Sequence, residues 1–410
     1  MRTVRSTYGI LASERFIVVE HALSSHIITE LILQAQYNGS HDTLHEILQQ
    51  PATWRDTATR VEQALPQLQS LVSGVQSIIL TGSGSSEYAA ECARTAFQQI
   101  ASITAQSIGS GALLTDSTTL LPRARPALMI HFARSGDSPE SVGALRAMLH
   151  ADPAMRQLAI TCNADGKLAR AATTGDKLKA FTLDARTNDR SLVMTSSFTN
   201  MVLAAIGLAS HADIKTYTTS ANHIADAAET LLSAAFEALQ ATQQYKRVFY
   251  LADLATFGAA REVALKMTEM TAGRVITVAE TYLGLRHGPM SAVHPDTLIV
   301  CFLSTDPLIR AYEEDLIREL NAKELGIGKI FVGASIPREL VRKNDVVLEH
   351  PVFAQTSAAF HTLLHVAVGQ VLAFYRCLQE GLKPDAPSAT GVINRVVQKF
   401  QLHGAAAEQE

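Results

Sequence analysis

Residues 81–87 read TGSGSSE, and residues 132–141 read FARSGDSPES. In the first stretch Gly82 and Gly84 let the backbone approach a ligand closely, while Ser83, Ser85 and Ser86 supply hydroxyls where a helical pattern begins. Such hydroxyls, with the free N–H groups of a helix N-terminus, donate hydrogen bonds to an anion. In the second, Arg134, Ser135 and Ser138 surround Gly136, and Pro139 stands where a helix would start. A third cluster, Thr195, Ser196 and Ser197, precedes another helix in SLVMTSSFTN, residues 191–200. Each loop alone is also ordinary turn chemistry, and Ser138 has the makings of an N-cap. Taken together, two hydroxyl-rich loops from adjacent strands point to a phosphate site. Gly82-x-Gly84-x-x-Glu87 lacks the third glycine of a dinucleotide fingerprint, and no serine stands in the G-x-S-x-G of a hydrolase elbow.

The second half carries groups suited to moving protons. REVALKMTEM, residues 261–270, places Glu262, Lys266 and Glu269 on one helix face. The Glu262–Lys266 pair by itself reads as a solvated ion pair. Glu269 stands between Met267 and Met270 beside small residues, and a carboxylate in partly apolar surroundings suits proton shuttling. In ETYLGLRHGPMSAV, residues 280–293, Arg286 and Gly288-Pro289 hold His287 in a loop able to aim an imidazole, although a lone loop histidine is more often inert. His361 and His365 lack the glutamate of HExxH and lie in an apolar stretch, so they read as core or interface residues. No metal site and no cofactor is expected.

These residues need elements to position them. Apolar strand candidates begin near Ile78, Leu128 and Leu158, and again near Val248, Leu298 and Ile330. The spacings are 50 and 30 residues, then 50 and 32, and KAFTLDA and DVVLEHP close the two sets. Matching spacing signals a tandem duplication. Each half reads as alternating strands and helices, hence a mostly parallel sheet with helices on both faces. Ligands in such folds sit at the carboxyl ends of strands, where these loops fall. The Ala/Leu periodicity of residues 212–246 predicts a long helical connector.

The bulk numbers fit. The chain has 410 residues, room for two or three domains, with 47% apolar and 18% charged residues and a net charge of −4. No basic stripe favours nucleic acid. Cys92, Cys162, Cys301 and Cys377 are far apart and form no CxxC, consistent with reduced thiols and a cytoplasmic location. FIVVEHALSSHIITELILQA, residues 16–35, is interrupted by Glu20, His21, His26 and Glu30, so it predicts an amphipathic helix rather than a membrane span.

With these motifs in place the chain resembles the sugar isomerase (SIS) domain superfamily over roughly residues 42–400, with TLHEILQQP (43–51) resembling the N-terminal arm of those enzymes. FARSGDSPESV, MTSSFT, RHGPMSAV and PDAPSATGVINRVVQ are most similar to the galactosamine-6-phosphate deaminase/isomerase group, also called tagatose-6-phosphate ketose/aldose isomerases. The resemblance implies an α/β fold of two tandem flavodoxin-like αβα domains. It divides the chain into a helical arm (1–65), a first SIS domain (66–211), the connector (212–246), a second SIS domain (247–385) and a tail closing the site (386–410). It places Ser86, Ser135 and Ser138 at phosphate-binding positions and offers Thr195 as another, and Ser83, Ser85 and Arg134 of the same loops join them as candidates. It makes Glu269 the base between carbons 1 and 2, with Lys266 beside it, and His287 the ring opener, supplied across a homodimer or larger assembly. Arg2 stands where the related synthase has a nucleophilic cysteine, so no attached ammonia source is expected. Ser196 replaces that enzyme's loop lysine, and Asn394 and Arg395 stand near its Schiff-base lysine, which argues against an enzyme-bound imine. The implied substrate is an amino-sugar 6-phosphate, most simply galactosamine 6-phosphate, deaminated to tagatose 6-phosphate. The alternatives are the gluco epimer, plain aldose/ketose isomerisation, or a sugar-phosphate sensor. Neither nucleic acid nor membrane is an expected partner.

Overall fold

A computed structural model describes residues 16–18, 26–174, 178–398 and 400–407. Eleven strands occur among them: β1 (Phe16–Val18), β2 (Ser77–Thr81), β3 (Thr104–Ser107), β4 (Ala127–Ala133), β5 (Arg156–Thr161), β6 (Leu178–Thr182), β7 (Arg247–Ala252), β8 (Ile276–Thr281), β9 (Thr297–Phe302), β10 (Gly328–Gly333) and β11 (Val346–Glu349). They form two sheets, ordered β3-β2-β4-β5-β6 and β1-β11-β10-β9-β7-β8. Every pairing is parallel. The interior strands are the apolar runs visible in the sequence: β4 (ALMIHFA) and β9 (TLIVCF) are buried at every position, as strands covered on both faces must be. The edge strands β3 (TAQS) and β8 (ITVAET) are only partly buried and carry no apolar run, so no strand was expected there.

Strand order fixes where the site falls. From β2 the chain steps outward to β3 and then back across to β4, so the loops after β2 and β4 face each other over a crevice. The second sheet repeats this reversal between β7 and β9. Four helices fill the space between the sheets: Ser85–Gln99, Ser196–Ala209, Phe257–Met270 and Ala358–Gln379. One hydrophobic cluster runs from Ile78 and Leu80 in the first sheet through these helices to Val248 and Tyr250 in the second. Glycine lets the helices close tightly. A Cβ on Gly258 would lie 2.8 Å from Cys92 Sγ, and one on Gly369 would lie 2.1 Å from Val263 Cγ1. Ala358–Gln379 is long and apolar enough to cross a membrane, but it is buried inside this packing. His361 and His365 lie on it, buried, with His365 stacked on Phe302 and Phe353.

Along the chain, the helix Ile214–Leu239 lies between the last strand of the first sheet and β7, and His26–Asn38, His41–Leu48 and Gln50–Val72 precede β2. The amphipathic helix expected within residues 16–35 needs correction. Phe16–Val18, an aromatic and β-branched run, is extended and pairs with β11, and the helix starts only at His26. Residues 1–15 and 19–25 lie outside the described residues.

Candidate functional site

Only three residues, Gly82 to Gly84, separate β2 from the Ser85–Gln99 helix. The turn needs glycine twice. A Cβ on Gly82 would sit 2.4 Å from the Ser86 carbonyl carbon, and Gly84 has φ 58°. This tight turn aims the helix N-terminus and its hydroxyls at the crevice. The Ser83 hydroxyl is buried without a hydrogen-bond partner among the described residues, and Ser86 Oγ meets Met194 Sδ at 4.0 Å. Across the crevice, Ser135 Oγ accepts from Asp137 N at 3.3 Å. Ser138 is the N-cap of Pro139–Ala151, accepting from Ser141 N at 3.3 Å and sharing a 2.7 Å hydrogen bond with Ser141 Oγ.

Beneath the first loop lies the Phe257–Met270 helix. Glu262 and Lys266 have fully buried side chains, and Glu269 is 22% exposed. The solvated pair expected for Glu262 and Lys266 is therefore a buried one, because this helix face turns toward the other domain rather than toward water. Lys266 Nζ lies 2.5 Å from Glu269 Oε2 and 3.4 Å from Glu262 Oε1, and donates to Ser85 Oγ at 2.9 Å. The neighbour of Glu269 in space is thus an ammonium, while Met267 and Met270 point into the core. Burial and the nearby carboxylate charge of Glu269 push Glu262 up to about 8, against the pull of Lys266. Burial opposes the charge on Lys266, but the two carboxylates outweigh it and raise its pKa. A cation from the second half therefore bridges a hydroxyl loop of the first half to a carboxylate that reaches solvent.

His287 is exposed in the turn that follows β8 and the short helix Tyr282–Leu285, beside an Arg286 that pairs with Glu319 at 2.8 Å. No hydrogen bond, ion pair or ring contact among the described residues joins His287 to Glu269.

The SIS domain model matches residues 71–206, the span from the end of the arm through the third hydroxyl loop. D-galactosamine-6-phosphate deaminase AgaS of Shewanella sp. is 32% identical over 92% of this chain and 96% of its own length. The Escherichia coli protein of the same name is 32% identical over 88% and 95%. The chain belongs to the AgaS family of SIS-domain proteins. Among solved structures, tagatose-6-phosphate ketose/aldose isomerase from Escherichia coli superimposes with TM-score 0.78 at 28% identity, covering 88% of this chain and 97% of that one. Glucosamine-6-phosphate deaminase from Thermotoga maritima, at 19% identity and TM-score 0.64 over 87% and 99%, shares the fold.

In this SIS chain the third hydroxyl loop is engaged by its own carboxylate. Asp189 accepts from Thr195 N at 2.8 Å, Ser197 N at 2.9 Å, Ser197 Oγ at 2.6 Å and Ser196 Oγ at 2.5 Å, which caps the Ser196–Ala209 helix. The Arg134 guanidinium is buried and donates to the carbonyls of Ser191, Leu192 and Val193 at 3.2–3.4 Å and of Arg395 at 2.5 Å. Burial lowers its pKa. Arg395 in turn donates to Asp189 O and Asn188 Oδ1, each at 2.7 Å, so the tail is strapped onto residues 188–193. Asn394 is exposed and, among the described residues, reaches only Gly391 O, at 3.4 Å. Three participants carry no clear mark in the sequence: Glu262, whose spacing to Lys266 is that of a solvated pair, Asp189, and Glu46 of the arm. Asp189 precedes its cluster by six residues, a cap signal too loose to find. Nothing local marks Glu46, beyond its place in the stretch resembling the family's arm.

Proposed function

We propose that this chain converts D-galactosamine 6-phosphate and water to D-tagatose 6-phosphate and ammonia. One observation carries the reading. Lys266 Nζ lies 2.9 Å from Ser85 Oγ and 2.5 Å from Glu269 Oε2, so one cluster joins the anion-binding loops to a solvent-reaching carboxylate. The relatives named for this substrate, similar along nearly their whole length, support the choice of sugar.

The substrate phosphate lies against the N-termini of Ser85–Gln99 and Pro139–Ala151, with Ser83 and Ser86 as the least engaged donors and Ser135, Ser138 and Thr195 around them. His287 opens the ring by moving a proton from O1 to O5. Glu269 then takes the proton from carbon 2, and the released electron pair forms the C1=C2 bond of an enolamine. Lys266 stabilises the negative charge that develops at O1. Returning the proton to carbon 1 leaves a ketimine at carbon 2. Water adds there, the C–N bond breaks, and ammonia leaves. Anchoring and one acid/base pair suffice for these steps.

Because His287 is exposed and apart from Glu269, a second copy of the chain supplies it. The edge strand β8 and its surroundings offer that copy an apolar surface, with Ile276, Leu283 and Leu254 exposed around it. The cysteines described are all buried and unpaired, which supports a reducing, cytoplasmic setting. The test is ammonia release from galactosamine 6-phosphate, glucosamine 6-phosphate and galactose 6-phosphate, with ketose measured in parallel. Ammonia and ketose in equal amounts from the galacto amine are expected. Ketose from galactose 6-phosphate without ammonia from either amine would make the protein a plain isomerase.

A further inference from the structure

The arm helix His41–Leu48 sends a single carboxyl group into the site's wall. Glu46 is buried, and its Oε1 accepts from the backbone N–H groups of Arg190 and, at 3.1 Å, Ser191. Its Oε2 contacts Ser191 Oγ and lies 3.4 Å from Thr195 Oγ1. Proton counting constrains this contact. Ser191 has one hydroxyl proton but two oxygens within reach, Glu46 Oε2 and, at 3.0 Å, Val193 O. Both contacts are satisfied when Glu46 carries a proton and donates it to Ser191 Oγ, while Ser191 donates to Val193. The neighbouring carboxylate favours that state: four donors and a helix N-terminus face Asp189, whereas the buried Glu46 has no ion-pair partner among the described residues.

We propose that Glu46 is a positioning residue of the site: as a neutral carboxyl it holds residues 188–195 in the geometry that Arg134 and Arg395 grip and from which Thr195 and the tail are presented to the substrate. The proposal rests on the deaminase reading for what is bound there, but not for the clamp itself. Burial first, and then the charge of Asp189, push Glu46 up to about 8, against the Ser191 hydroxyl and the Ser191 and Arg190 N–H groups, which pull it down. Above that pH the Ser191 hydroxyl must turn from Val193 to Glu46, and two negative charges face each other. Asp189 is the charged side chain acting on Glu46. Arg134 and Arg395 grip the same loop through its carbonyls, and Asp385 fixes the arm helix through Thr43 N and Oγ1, both at 2.8 Å. The Lys266–Glu269 cluster lies on another helix, so losing the clamp weakens substrate binding more than turnover.

Full-length Glu46→Gln and Glu46→Ala separate the possibilities, because glutamine mimics the neutral acid but cannot ionise. KM and kcat for galactosamine 6-phosphate are measured from pH 6 to 9.5, and hydrogen exchange is followed at the Arg190 and Ser191 amides. At pH 7 Glu46→Gln should stay within about threefold of wild type. Above pH 8 the wild-type KM should rise severalfold while that of Glu46→Gln stays flat. Glu46→Ala should raise KM tenfold or more, change kcat less than threefold, and lose exchange protection at both amides. A Glu46→Gln protein that follows the wild-type alkaline rise overturns the proposal, and so does Glu46→Ala with unchanged KM. If the wild type deaminates nothing, the substrate assignment fails by itself. Exchange then decides the clamp: protection lost in Glu46→Ala and kept in Glu46→Gln supports it, and equal protection in all three proteins refutes it.

Discussion

Replacing Lys266 with methionine removes a fully buried cation that joins the two halves while keeping most of the side-chain volume. In the wild type the ammonium has no exposure and lies 2.5 Å and 3.4 Å from two carboxylates. At an effective dielectric constant near 20, opposite charges ~4 Å apart attract by about 4 kcal/mol, and desolvation offsets much of this. Losing one partner of a buried pair costs about 3–5 kcal/mol, since the remaining charge is stranded. Glu262 sits at about 8 even with Lys266 present, so without it the acid escapes by staying protonated. The sign follows. The folded variant holds a proton on Glu262 that the unfolded chain releases near pH 4.5, so its stability falls as pH rises through 8 and beyond. Urea unfolding should therefore show a loss of about 3 kcal/mol at pH 6 and at least ~1 kcal/mol more at pH 9. Ammonia release should drop at least ~100-fold. Adding Glu262→Gln to the variant should recover part of the lost stability, more at pH 9 than at pH 6. A loss below ~1 kcal/mol, or one equal at both pH values, would refute the idea that Lys266 and the glutamates share a low-dielectric site.

Gly369→Ala should lower stability by about 1–3 kcal/mol and cut kcat, because its Cβ would meet Val263 Cγ1 at 2.1 Å on the helix that carries Lys266; thermal unfolding and steady-state kinetics check both. His365→Phe should stabilise the fold, since His365 is stacked at 4.4 Å on Phe302 with both ring nitrogens unpartnered among the described residues. Burial lowers the His365 pKa, so the wild type loses stability as pH falls below 6.5, and urea melts should show the variant's margin widening from pH 7.5 to pH 5. Ser86→Ala should raise KM by roughly ten- to a hundredfold, the equivalent of about 1.5–3 kcal/mol for a hydrogen bond to an anion, with kcat held; an unchanged KM removes Ser86 from the phosphate site. Mixing inactive His287→Ala with inactive Glu269→Gln subunits should restore turnover, and verified subunit exchange without recovery would count against a shared site.

What the sequence disclosed, and what it hid, follows from the range of the interactions. Buried parallel strands such as β4 and β9 are continuous apolar runs, so their existence and spacing are local information. The glycine-serine turn is equally local, because Gly82 and Gly84 answer to constraints within five residues. The edge strands β3 and β8 owe their state to the neighbour they pair with, and their own composition says nothing of it. Burial of the Glu262–Lys266 pair was illegible for the same reason. The i, i+4 spacing is common to solvated and buried pairs, and what buries this one is the Ser85–Gln99 helix, more than 160 residues earlier in the chain. Glu46 and Asp189 are separated likewise, and only the folded chain sets them around Ser191 and Thr195.

The duplication itself explains why the two halves do different work. In both sheets a loop leaves the strand on each side of the reversal, and the helices that follow β4 and β9 start with the same device, a capping side chain before proline: Ser138-Pro139 and Asp306-Pro307. The caps persist, but the anion donors do not. Where Gly82 follows β2, Asp253 follows β7, and it accepts from both N and Oγ1 of Thr256 at 2.9 Å. After β9 the Ser304 N–H, which would face a bound anion, donates instead to Glu313 Oε2 at 2.9 Å. Arg310 fills the remaining space by donating to Ser304 O at 2.7 Å and Ala334 O at 3.2 Å. Burial and Asp253 push Glu313 up to about 8, against the backbone hydrogen bond that pulls it down. The second crevice is thus plugged by the chain's own acid and guanidinium and set against a phosphate. Its half is free to contribute something else, the Phe257–Met270 helix, whose Lys266 reaches across to Ser85. Under the proposed function, one copy of the fold keeps the backbone donors for an anion and the other supplies the carboxylate that moves a proton, so a substrate charged at one end and reactive at the other would lie between the two.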